Sequence, residues 1–271
     1  MIFDAHNDLL TAGLSDRQTV DILNGLDGLE SLGGVTLAVW TTDGGCTADG
    51  IAGRTCLAKA LNPRVKLVFA VEDLGFADDN DIEKLCAADY KYYTPTWNFS
   101  NKIGGGAYGD GGLTDFGRRA VGKLARRALI DCAHMNGETF FDTADITGRI
   151  INSHTGFSGI KEHPRNITDE QIKIIIACGG IVGLAFVGDF LCEGRADVNA
   201  VIRNIDYFTQ RFGADCLCIG TDFGGTADLP AGISGYRDFD VISYGLDKLG
   251  YGGESIRAIF GGNYLAKINA V

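Results

Sequence analysis

Short runs of apolar residues alternate along the chain with longer segments whose apolar positions recur at helical spacing. This is the arrangement expected when parallel strands are joined by crossover helices. The strand-like runs cover Ile2 to Asp4, Val35 to Thr41, Lys66 to Glu72, Tyr90 to Thr94, Leu129 to His134, Ile150 to His154, Gly180 to Phe186 and Cys216 to Thr221. Helices are predicted at Val20 to Leu32, Ala48 to Leu61, Asp81 to Ala88, Asp115 to Arg127, Glu138 to Thr147, Thr168 to Cys178 and Val198 to Phe212, with more helix from Asp240 onward. Thr114 or Asp115 can cap the helix that follows, and Thr168 with Gln171 fits a capping box. Strand–helix units repeated in this way over 271 residues have the size of an α/β fold of the (β/α)8 TIM-barrel type. No shift in composition marks a boundary, so residues 1–271 read as one barrel domain.

Hydrophobic residues make up 45% of the chain, enough for a substantial core. The net charge of −11 argues against phosphate backbones and anionic lipid surfaces, so neither nucleic acid nor a membrane is an expected partner. The chain opens directly on IFDAHND without a targeting pattern, and no apolar run reaches the ~18 residues that a bilayer span needs. Eight scattered cysteines read as reduced, mostly buried thiols, which makes the cytoplasm the expected location.

Three of the four histidines fall at the carboxyl ends of strand-like runs: His6 after the first, His134 ending the fifth and His154 ending the sixth. Glu72 ends the third run and Asp222 follows the eighth, and an acid at the end of an apolar strand is costly unless paired or metal-bound. Residues two apart in an extended strand share a face, so His6 and Asp8 can reach one cation. Mixed imidazole and carboxylate ligands suit Zn²⁺ or a similar first-row ion. The set His6, Asp8, Glu72, His134 and His154 exceeds what one tetrahedral site with an open position uses, so two ions are expected. A carboxylate can bridge two ions, and Glu72 sits between the two ligand groups in chain order.

The chain resembles the membrane (renal) dipeptidases, the M19 zinc peptidases of the amidohydrolase superfamily. The similarity is carried by DAHNDLL at 4–10, VE at 71–72, GLTDFGRRAV at 112–121, LIDCAHMN at 129–136, INSHTG at 151–156, RNITDEQIKIIIACGGIVGLAF at 165–186, IGTDFGG at 219–225 and GGNYLAKI at 261–268. It implies that His6 and Asp8 bind one zinc ion, that His134 and His154 bind the other, and that Glu72 bridges them. It further implies that a hydroxide shared by the metals attacks an amide carbonyl. Asp222 matches the family's acid/base residue and Arg165 its arginine for the substrate's free carboxylate. The expected substrate is a dipeptide or similar small molecule, and family members often pair as homodimers.

Two positions depart from the family's pattern. Trp97 stands where a histidine that helps hold the substrate usually follows strand four, and Val187 stands where a tyrosine follows strand seven. Both concern substrate recognition, which leaves a non-peptide amide, lactam or lactone as an alternative substrate. A non-catalytic binding protein on the same scaffold is the reading from a different class. His163, in KEHPRN, is expected on a loop near Arg165 in a structural or solvent role, and Trp40, ending the second strand ahead of a run of Thr and Gly, is expected to pack there, with lining the pocket as the alternative. The stretch Gly104 to Gly112 reads as a long loop, either a surface connection or a wall of the active-site mouth, and the basic run 118–127 as the solvated face of a helix.

Overall fold

The computed structural model describes residues 1–11, 15–27, 29, 31–41, 46–61 and 64–270. Eight parallel strands pair in chain order: β1 (Ile2–Asn7), β2 (Leu32–Trp40), β3 (Lys66–Glu72), β4 (Tyr92–Thr94), β5 (Leu129–Asp131), β6 (Ile150–Thr155), β7 (Val182–Leu184) and β8 (Leu217–Ile219). The ring closes where the Asp222 N–H bonds the His6 carbonyl at 3.2 Å and the Asp8 N–H bonds the Phe223 carbonyl at 2.9 Å. The result is the (β/α)8 barrel that the alternating pattern predicts.

The crossovers carry helices α1 (Asp16–Asp27), α2 (Ala48–Ala60), α3 (Asp79–Ala87), α4 (Asp115–Leu124), α5 (Gly137–Ile146), α6 (Asp169–Ala177), α7 (Gly188–Leu191) and α8 (Val198–Phe212). Helices α9 (Phe239–Lys248), α10 (Gly253–Arg257) and α11 (Asn263–Asn269) complete the chain. Thr114 caps α4, and Thr168 with Gln171 forms the expected box on α6. Such caps satisfy the free N–H groups of these helix starts, and because each crossover returns antiparallel to its strands the crossover helices begin near the carboxyl-terminal rim.

The first helix departs from expectation. It starts at Asp16 and ends at Asp27, and Leu32, read as helical, already belongs to β2; positions 28 and 30 of the predicted segment lie outside the described residues. Leu26, Leu29 and Leu32 carry an apolar spacing that a helix would share. Strand pairing nevertheless claims Leu32, which is buried beside Ile2 in the register of β1 with β2.

Two apolar layers result. Phe3, Ala5, Ala38, Ala70, Tyr92 and Ile151 pack inside the barrel with Tyr264 of α11, whose hydroxyl meets Thr36 at 2.7 Å. The larger layer lies between the strands and the helices. All eight cysteines are free, but only Cys132 and Cys218 are buried; Cys56 is exposed and the rest are half-buried on helix flanks and strand starts. The basic run sits outside, with Arg118 paired to Asp142 at 2.7 Å and Lys123 to Glu83. No helix among the described residues is long and apolar enough to cross a membrane.

Candidate metal centre

Every residue singled out for chemistry stands on or near the carboxyl-terminal rim. His6 and Asp8 flank the end of β1, Glu72 is the last residue of β3, and His154 is next to last in β6. His134 and Asp222 lie beyond their strands, because β5 stops at Asp131 and β8 at Ile219. The backbone then passes through left-handed φ values of 64° at His134 and 63° at Asp222, and Asp73, directly after Glu72, has φ 63°. These are the three non-glycine positive-φ positions among the described residues, a conformation that costs on the order of 1–3 kcal/mol each and concentrates at functional sites.

Glu72 is shared between two groups. Its Oε1 lies 2.9 Å from His134 Nε2 and 3.6 Å from His154 Nε2, while its Oε2 lies 3.6 Å from His6 Nε2. His6 Nε2 is in turn 3.3 Å from Asp8 Oδ1. These atoms are close without being aligned as hydrogen bonds: His6 Nε2, Asp8 Oδ1 and both Glu72 oxygens are buried and have no hydrogen-bond partner. Orphaned acceptors of this kind are costly, and a cation satisfies them all. Potential ligand atoms gather in three overlapping sets: His6, Asp8 and Glu72; Glu72, His134 and His154; His6, His154 and Asp222. The residues therefore fit divalent metal.

The far side of each imidazole fixes its tautomer. Tyr92 donates its hydroxyl to the Ala5 carbonyl at 3.0 Å, so the same oxygen accepts from His6 Nδ1 at 2.8 Å. Ser153 donates to Asp131 Oδ2 at 2.6 Å and accepts from His154 Nδ1 at 2.8 Å. Asn98 Oδ1 accepts from His134 Nδ1 at 2.9 Å. With Nδ1 of all three donating outward, each Nε2 points to the centre, where a metal ion would take its lone pair. Two glycines make room for this support: a Cβ on Gly183 or on Gly220 would fall 1.9 Å from the Ser153 carbonyl oxygen.

Electrostatics point the same way. Burial, then the charge of Asp8, pushes Glu72 up to about 8 and Asp222 up to about 7. Burial depresses His134 and His154 well below the ordinary imidazole value, aided by Arg165 and His6. Burial also works against a charged His6, but Glu72 and Asp8 outweigh it and leave His6 well above its ordinary value. Without a cation, the crowded carboxylates hold protons that a metal ion would displace.

A cavity of about 360 Å³ opens over the cluster, lined by Asp8, Trp97, Arg165, Val187 and Asp222 among others. A second cavity of about 600 Å³ shares His134, His163 and Arg165 with it. Arg165 is buried, with one guanidinium nitrogen 2.8 Å from His134 Nε2 and its plane over Phe190. Trp40, expected to pack, does so against Trp97 at 4.9 Å between ring centroids and thereby lines the cavity; residues 42–45 behind it lie outside the described residues. His163, expected in a structural or solvent role, does have a structural one: its Nδ1 accepts the Arg165 N–H at 3.1 Å. It also borders both cavities and meets Tyr108 of the glycine-rich loop at 3.3 Å, so that loop forms part of the mouth.

Sequence reasoning missed the support residues Tyr92, Asn98, Asp131 and Ser153. Asp131 had a visible signal, an acid inside the apolar run LIDCA, and is fully buried. A second buried acid, Asp4, accepts from Thr221 (2.8 and 2.6 Å) and from Tyr236 (2.5 Å), tying β1 to the segment that carries Asp222.

The fold recurs in known structures. A metallo peptidase from Rhodobacter sphaeroides, liganded with a phosphinate mimic of the dipeptide L-Ala-D-Ala, superposes with TM-score 0.82 over 99% of this chain and 98% of its own, at 19% identity. An amidohydrolase from Pseudomonas aeruginosa gives 0.80 over 99% and 95%, at 21% identity. In sequence, an uncharacterized protein in the pqqA 5′ region of Klebsiella pneumoniae is 31% identical over 228 residues, covering 72% of this chain and 84% of that protein. Residues 57–271 match the profile of the family described as membrane dipeptidase, peptidase family M19. The chain belongs to that family, and is with it a metal-dependent hydrolase.

Proposed function

We propose that the protein is a zinc-dependent dipeptidase that cleaves the amide bond of a short peptide bearing a free C-terminal carboxylate. One observation carries this reading: the divided Glu72 carboxylate, whose two buried oxygens lack hydrogen-bond partners and face different histidines. His6 and Asp8 would hold one ion, His134 and His154 the other, with Glu72 between them. Bound divalent ions supply Lewis acidity and make water acidic enough to attack near neutral pH.

The chain's own residues do the rest. Asp222, raised to about 7 and open to the cavity, accepts the proton of the attacking water and delivers it to the leaving amine nitrogen. Arg165 receives the substrate carboxylate through its planar fork. The phosphinate dipeptide mimic held by the Rhodobacter enzyme supports a dipeptide-sized substrate. A homodimer and a cytoplasmic setting complete the proposal.

Purified protein should carry two equivalents of zinc per chain and hydrolyse dipeptides, with hydrolysis abolished by Asp222→Asn. Metal-free protein that stays inert after zinc addition would support the binding-protein alternative. Because Trp97 and Val187 shape the pocket, a lactam and lactone panel run beside the dipeptides decides the substrate class; faster turnover of the cyclic substrates would replace the dipeptidase reading.

A further inference from the structure

The chain has two tryptophans, and both stand over the candidate metal centre. Trp40 ends β2 in register with Glu72, which is in register with Thr94 at the end of β4, three residues before Trp97. The two indoles therefore meet across the strand that carries the shared carboxylate, 4.9 Å apart and tilted by 37°. Trp97 also lies nearly parallel to His134 at 5.9 Å and meets Phe99 edge-on at 6.5 Å. Phe99 is 64% exposed, so the aromatic wall runs without a break from a predicted ligand to solvent.

The carboxylate anchor reaches the centre from the opposite side, its guanidinium 2.8 Å from His134 Nε2. Arg165 lies in the loop after β6 beside Phe190, and the strand order places β6 and β7 across the barrel from β2 and β3. A dipeptide with its carboxylate on Arg165 and its amide over Glu72 directs its acyl-side residue toward Trp97 and Trp40.

We propose that the Trp97–Trp40 stack, continued by Phe99, is the subsite for the acyl-side residue and selects an aromatic side chain there. This rests on the dipeptidase reading above. An aromatic ring gains offset or edge contacts on such a wall that an aliphatic group of similar area does not. Because the wall opens to solvent at Phe99, it accepts an indole as well as a phenyl ring.

The test uses two phosphinate pseudodipeptides ending in alanine, one with a benzyl and one with a methyl group at the acyl position. Each is titrated into zinc-loaded protein while tryptophan emission is read, since every tryptophan in the chain belongs to the wall. Hydrolysis of Phe-Ala and Ala-Ala is measured in parallel. The benzyl compound should bind at least about tenfold tighter, and kcat/KM should favour Phe-Ala in the same sense. Trp97→Leu should bring both ratios close to one, and Trp97→Phe should retain most of them. Equal binding of the two compounds by the native protein, or no emission response to either, overturns the subsite. A preference that survives in Trp97→Leu also overturns it, because burial alone would then explain the selection. Preferential binding without hydrolysis of either dipeptide keeps the subsite and removes the dipeptidase reading; hydrolysis of both at equal kcat/KM does the reverse.

Discussion

Asp131 grips Ser153 with both carboxylate oxygens, Oδ1 accepting its N–H at 2.7 Å and Oδ2 its hydroxyl at 2.6 Å. The second bond makes the serine oxygen an acceptor toward His154. Asp131→Asn keeps the shape but can place a donor where Oδ2 stood. The Ser153 hydroxyl would then turn to His154 Nδ1 and move the ring proton to Nε2, the nitrogen that a metal needs unprotonated. We expect metal affinity to drop about 10–100-fold with the fold retained, measured by chelator competition and circular dichroism. Unchanged affinity would show that the tautomer is set elsewhere.

Gly183 and Gly220 both leave space that the carbonyl of the same serine occupies. Gly183→Ala or Gly220→Ala should each cost about 1–3 kcal/mol or more in urea denaturation. Each displaces one shared oxygen, so the double variant should lose less than the sum of the singles. Full additivity would mean that the two contacts are relieved independently.

Metal-free protein should respond to pH in an unusual sense. Folding raises Glu72 from 4.5 to about 8 and Asp222 from 3.8 to about 7. Between those limits the two carboxylates bind more protons in the folded state than in the unfolded chain. His134 and His154, held well below 6.5, offset this while the unfolded imidazoles are still charged, so stability should fall only as pH rises from about 6.5 to about 8. Zinc replaces those protons, so apparent metal affinity should climb over the same window and the loaded protein should lose the dependence. Thermal melts with and without zinc test this; a metal-free protein that gains stability toward pH 8 would contradict it.

Arg165→Met should raise KM for dipeptides by about tenfold or more while leaving KM for their C-terminal amides nearly unchanged, since a charge-assisted bidentate pair is lost only for the carboxylate. Steady-state kinetics on the two series checks this. Equal increases for both would assign the arginine to supporting His134, which it touches at 2.8 Å.

Glu72→Gln should lower bound zinc below two equivalents per chain, measured by elemental analysis, because an amide offers one neutral oxygen where the carboxylate offers two charged ones. Retention of both equivalents would place the bridge on another residue.

The sequence made the barrel legible because parallel buried strands are continuous apolar runs and their helices are periodic. Strand β3 and helix α8 match their predicted bounds. The rim residues were legible for a related reason: His6, Glu72 and His154 are polar groups at the ends of apolar runs. Helix α1 was displaced because Leu26, Leu29 and Leu32 satisfy a helical period that only pairing with β1 can reject. The supporting partners were hidden because tyrosine, serine and asparagine are common, and their role depends on contacts such as Tyr92 with His6, distant in sequence by 86 positions. Trp40 and Trp97 stand out in the sequence singly, but only the β2–β3–β4 register brings them together.

The left-handed backbone at His134 and Asp222 sets a conflict for any effort to harden this protein. Glycine relaxes such a turn without steric cost, so His134→Gly and Asp222→Gly would remove backbone strain from the metal-free chain together with a candidate ligand and the proton carrier. A lineage released from its substrate would be free to take them, and glycine at these two rim positions, with the barrel intact, would mark a descendant that had ceased to be a hydrolase.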